Sequence, residues 1–152
     1  MSTPLPKDKW VWMPHAAHFI GADHCRFHLA TWVGDFIVST VGEYMPDSAV
    51  RAIIARSNGS PLTKRGDEQE IEFFEKFGWA DVGDNRKYET MVFRARPSKH
   101  KCCPYEMADC SEVDYCGYNS ADEAYAGHVS LCEKWSKIDQ QTLETEDLEA
   151  NE

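Results

Sequence analysis

The stretch Arg26–Tyr44 constrains the fold most. Two runs rich in β-branched and aromatic residues flank Gly34-Asp35. A glycine-first pair marks a two-residue hairpin turn, because glycine adopts positive φ at the first central position without strain. Placing the turn there fixes the register. Val33 then faces Phe36, Thr31 faces Val38, Leu29 faces Thr40 and Phe27 faces Gly42. The other face pairs Trp32 with Ile37, Ala30 with Ser39, His28 with Val41 and Arg26 with Glu43, the last a favourable cross-strand charge match. Both faces carry apolar groups, so the hairpin is expected inside a larger sheet.

Short β-like runs at Lys9–Met13 and Lys87–Arg96 supply further strands, ended by Pro14 and Pro97. Trp10 and Trp12 fall on one face of the first run; left uncovered, that face would be an interaction patch. Asp47 caps a helix over 48–57 with Val50, Ile53 and Ile54 inward. A second helix over 67–77 opens on the capping-box pair Asp67/Glu70, turns Ile71, Phe74 and Phe77 inward and stops at Gly78. A last helix over 120–137 opens on Ser120/Glu123 and carries the inward stripe Ala121, Tyr125, His128, Cys132 and Trp135. The expected class is α+β: a mostly antiparallel sheet, two helices packed on one face, and a Cys-rich C-terminal extension ending in a helix. Residues 1–97 are expected to form the core, 98–137 a Cys/His-rich extension with a candidate zinc staple, and 138–152 an acidic disordered tail.

Charge narrows the roles. The 152 residues carry a net charge of −10, and six of the 26 acids lie between Asp139 and Glu152, where there is no Lys or Arg. That segment has too little apolar surface to offset its ordering entropy. It reads as a solvated tail, or as an arm for a basic partner. The acidic balance disfavours a general nucleic-acid binder, although Arg86, Lys87, Arg94, Arg96, Lys99 and Lys101 form a local basic strip. No apolar run reaches the roughly 20 residues of a membrane span, and the N-terminus lacks a secretory h-region. A reducing, cytoplasmic setting is therefore expected.

In that setting, clustered cysteines favour metal over disulfides. His128 and Cys132 are four apart on a helix and project from one face. With Cys102 and Cys103 they make a candidate closed zinc site, structural rather than catalytic, with Cys110 and Cys116 as reserve ligands. The alternatives are that His128 and Cys132 are core packing residues, or that the cysteines form a disulfide or redox pair. A second cluster holds His15, His18, His24, Cys25 and His28, with Glu43 across the hairpin. It could contain a nucleophile and base, an open metal site, or a His28–Glu43 acid–base pair. It matches no His-Glu-x-x-His, Gly-x-Ser-x-Gly or phosphate-loop pattern, and a polar loop with a strand-end histidine is the plain reading.

The segments Trp12-Met13-Pro14-His15, Cys25-Arg26-Phe27-His28, Ser39–Tyr44, Arg86–Arg94, Cys102-Cys103-Pro104, Gly117-Tyr118-Asn119, Gly127-His128 and Cys132 resemble small uncharacterised proteins encoded by phages and prophages. The resemblance implies an origin rather than a mechanism, and a setting in the host cytoplasm. It implies a host-takeover or anti-defence inhibitor, such as an anti-CRISPR, acting by binding. The expectation is a zinc-stabilised protein that binds a macromolecular partner, a protein with a basic surface. The rival is a small hydrolase or transferase built on the His15–His28 cluster.

Overall fold

The computed structural model describes residues 9–18, 24–139 and 143. The acidic tail beyond Asp139, apart from Leu143, lies outside the described residues. Five strands, β1 (Trp10–Met13), β2 (Cys25–Val33), β3 (Phe36–Tyr44), β4 (Tyr88–Pro97) and β5 (Tyr105–Tyr118), form one antiparallel sheet in sequence order. Three helices accompany it: α1 (Ser48–Ser57), α2 (Asp67–Phe77) and α3 (Ala121–Trp135). The class is α+β, as the sequence predicts.

The β2–β3 register follows the turn. Gly34 has φ 60°, and Val33↔Phe36, Thr31↔Val38, Leu29↔Thr40, Trp32↔Ile37 and His28↔Val41 pair as read from the sequence. The Arg26–Glu43 charge pair does not form. Glu43 has φ 54°, and Arg26 instead reaches Glu70 at 3.4 Å and lies over the Trp79 ring.

One sheet face carries Val33, Phe36, Val38 and Val92, and α3 seals it with Cys132 and Trp135. Ile138 and Leu143 pack against the same cluster. Ser120 Oγ accepts the Glu123 backbone N–H at 3.2 Å, so α3 starts where its cap dictates. Its buried residues are Ala124, His128, Cys132 and Trp135, while Tyr125 is exposed. The predicted stripe therefore holds at Ala121, His128, Cys132 and Trp135, with Ala124 taking the inward place of Tyr125.

α1 and α2 pack on each other beyond the Tyr44 end of β3 and share a small core of Met45, Phe73 and Ala80. Their inner faces match the expectation in part: Ile54 and Phe77 pack against this core. Arg51 and Ala55 are buried on α1 and Phe73 on α2, whereas Val50, Ile53, Ile71 and Phe74 are exposed. α2 also opens on Gly66 with no side-chain cap, not on an Asp67 capping box. Glu72 latches the preceding loop, accepting from Thr63 N, Lys64 N and Thr63 Oγ1.

Residues 105–118 of the expected Cys-rich extension form β5, a 14-residue edge strand that pairs with β4. Its pairing with β4 slips between Val92 and Ala95, where β5 carries extra residues. Such bulges bend the strand and re-aim its side chains.

Candidate functional site

The second sheet face holds the chemistry. Residues 16–18 lie across it, where the backbone N–H groups of Ala17 and His18 both donate to Ser39 Oγ at 3.2 Å. The turn between β4 and β5 lies over the same face, held by Tyr105 stacked on Trp32 at 3.7 Å. These two placements bring His15, Cys102 and Cys103 together, with their ligand atoms within 4.8 Å of one another. A cavity of about 220 Å³ beside them is lined by Met13, Ile37 and Tyr105, and also by His100. This His/Cys/Cys cluster can hold a metal ion. Burial raises the Cys103 pKa, and the adjacent Cys102 adds to the shift. A cation relieves that pressure, because two neighbouring thiolates are stable only beside positive charge.

The quartet Cys102, Cys103, His128 and Cys132 does not form. α3 turns His128 and Cys132 into the opposite face of the sheet. His128 is fully buried, with Nε2 2.7 Å from Thr31 Oγ1 and Nδ1 2.7 Å from Thr40 Oγ1. Thr40 Oγ1 also meets Thr90 Oγ1 at 2.6 Å, and Trp12 stacks on the imidazole at 5.5 Å. A neutral imidazole has one N–H and one acceptor, so one threonine accepts and the other donates. Burial lowers the His128 pKa to about 4 and pushes the Cys132 thiol up to about 12. Both are packing residues, each with its polar atom satisfied or inert. The reserve ligands Cys110 and Cys116 are exposed on β5, and all six thiols are free.

The histidine cluster is dispersed. His15 joins Cys102 and Cys103. His24 is exposed and meets Tyr44 edge-on. His28 is exposed opposite Val41 and does not reach Glu43, so that acid–base pair is absent. Cys25 is buried and its thiol is pushed up to about 11, chiefly by burial, which is the reverse of an activated nucleophile. The basic strip is partly neutralised, with Arg96 paired to Glu106 at 3.0 Å and Lys87 to Asp81 at 2.8 Å.

His18 is the buried histidine of the cluster and lines a cavity of its own. It is 3% exposed, and burial lowers its pKa to about 4, so it is neutral near pH 7. Ser39 Oγ already accepts two N–H groups, so its hydroxyl hydrogen goes to His18 Nδ1 at 2.7 Å. The ring proton is thereby assigned to Nε2, which has no hydrogen-bond partner among the described residues. Glu89 Oε1 lies 3.6 Å away, too far for a hydrogen bond, and the Glu89 pKa is raised by burial and then by Glu112. The cavity measures about 360 Å³ and is lined by these groups with Met91, Phe93, Met107 and Cys110.

The molecule is thus a five-stranded antiparallel α+β protein with a His/Cys/Cys cluster and, on the same sheet face, a separate, largely apolar cavity that holds His18 and Glu89. Comparison with known proteins finds no matching family, curated protein or solved structure. No helix among the described residues is long and apolar enough to cross a membrane.

Proposed function

We propose that the protein works by docking on a basic protein partner, and that a zinc ion on His15, Cys102 and Cys103 fastens its scaffold. One observation carries the docking reading: α2 leaves Ile71 58% and Phe74 45% exposed beside Trp79. With Met45, Arg26 and Glu70 these residues line a cavity of about 220 Å³. Exposed apolar groups gathered beside polar ones mark interaction surfaces. The helix carries Asp67, Glu68, Glu70, Glu72 and Glu75 against the single Lys76, so a basic amphipathic segment complements it. A host-takeover or anti-defence inhibitor would act in this way. The metal reading adds His100 as the fourth ligand of a closed structural site. The enzyme reading is weaker, because Ser39 Oγ is buried and committed and Cys25 is a protonated thiol.

Photo-crosslinking from position 71 in the native host tests the docking reading. A basic protein should be captured, and the purified pair should bind with an affinity that falls as salt rises. Phe74→Ala should weaken that binding at least tenfold, since a buried aromatic anchor is typically worth about 2 kcal/mol or more. Equal binding by Phe74→Ala, or a partner with an acidic surface, overturns it.

A further inference from the structure

The cavity beside His18 is built for a ligand, and this inference depends on neither the metal nor the docking surface. Two buried polar groups meet there without satisfying each other. His18 Nε2 is a neutral donor with no partner among the described residues, and Glu89, 3% exposed, offers an acceptor oxygen 3.6 Å away. A buried donor left unpaired is costly, so a ligand that supplies its acceptor is favoured over one that does not. Ser39 fixes which ring nitrogen carries the proton, so the donor is set before anything binds.

The spacing selects the ligand. In a cis-amide edge the N–H and C=O point the same way, their heavy atoms about 2.3 Å apart by standard amide geometry. Two slightly diverging hydrogen bonds of about 2.9 Å then reach protein atoms roughly 3–4 Å apart. A donor and acceptor separated by 3.6 Å fit that edge. The walls fit a flat ring: Phe93 and the thioethers of Met91 and Met107 are apolar and polarisable. The bulge of β5 brings Cys110 and Glu112 to the same cavity. Its lining contains two carboxyl groups and no Lys or Arg, which excludes phosphate.

We propose that this cavity binds a small, flat heterocycle through a lactam edge, the ligand N–H on Glu89 and its C=O on His18, with no phosphate attached. A free nucleobase is the simplest member of that class. The volume of about 360 Å³ is at the lower end of small-molecule sites and suits one or two fused rings.

The test is an isothermal and NMR titration of the full chain with three probes that share one ring: hypoxanthine, 1-methylhypoxanthine and inosine 5′-monophosphate. Hypoxanthine should bind and shift the His18 ring resonances. Methylation at N1 removes the donor to Glu89 and should weaken binding at least tenfold, and the phosphate should weaken it further. Glu89→Met removes the acceptor at similar volume and should abolish hypoxanthine binding while the protein stays folded. The methyl comparison uses unchanged protein, so it stands even if the variant misfolds. Equal binding of the methylated base, tighter binding of the monophosphate, or no hypoxanthine binding at millimolar concentration overturns the proposal.

Discussion

His18 and His128 lie on opposite faces of one sheet, yet both are buried imidazoles held neutral. Unfolded, each takes up a proton near its ordinary value of 6.5; folded, each resists protonation down to about 4. Between those values the unfolded chain binds more protons, so stability falls as pH falls and loses nothing further below about 4. Each histidine contributes up to about 3 kcal/mol to that loss. Glu89 acts in the opposite direction. Its raised pKa makes the folded state hold an extra proton above the ordinary value of 4.5, which offsets part of the slope. Urea midpoints measured from about pH 7 to about pH 4 should therefore fall, and His128→Gln should flatten the dependence by roughly one proton. Gly127 gives a second residue-scale prediction. Alanine there gains about 1 kcal/mol in helix propensity. Its Cβ, however, would lie 2.1 Å from Tyr118 Oη and 2.2 Å from Cζ, a clash that costs about 1–3 kcal/mol. Gly127→Ala should thus lower the melting temperature rather than raise it. At this scale the sequence was only partly legible. His18 stood in a visible cluster, but its partners Ser39 and Glu89 are distant in sequence, at separations that carry no local pattern. The usable signal was Glu89 itself, a lone carboxylate alternating onto the face of Met91 and Phe93.

At the scale of elements, the α1–α2 pair stands on its own core. Phe73 is its fully buried centre, and Phe73→Ala should cost about 3–5 kcal/mol. That loss belongs to the helix pair. Hydrogen exchange should show α1, α2 and the Tyr44↔Ala80 bridge losing protection while β2–β4 keep theirs. Uniform loss across the sheet would show that the pair is not a separate unit. Elements were legible where turn or cap chemistry is local: the Gly34-Asp35 hairpin, the Asp47 cap, the Gly78 stop and the Ser120 start. β5 was not. An edge strand with a bulge and exposed acids, including Asp109 and Glu112, lacks clean alternation and reads as a loop. Those same acids and the bulge protect the edge from pairing with another chain. The inner faces of α1 and α2 are only half legible for a related reason: Ile54 and Phe77 pack inward, while Val50, Ile53, Ile71 and Phe74 do not. Periodicity says which side chains share a face, and only tertiary packing says which face is covered.

For the whole molecule, the His15, Cys102 and Cys103 cluster brings together parts of the chain far apart in sequence. His15 follows β1, and Cys102 and Cys103 sit in the turn before β5. An ion bound only by the folded state stabilises it by mass action, about 2.7 kcal/mol at a hundredfold excess over Kd. Zinc should therefore raise the melting temperature and chelator should reverse the gain. Cys103→Ser and His15→Ala should abolish the response, while Cys132→Ser should keep it. The reverse pattern would return the site to α3. Binding must displace thiol protons, so the gain should grow with pH. The meander order also bears on how the chain is made. Strands that are neighbours in the sheet are neighbours in sequence, so each can pair as it leaves the ribosome. α3 follows all five strands, yet it alone supplies His128 to the threonine row and Trp135 to the apolar cluster. Until α3 has left the ribosome's exit tunnel and docked, the sheet thus shows one bare, sticky face. That face is the surface a nascent-chain chaperone would cover before the fold closes.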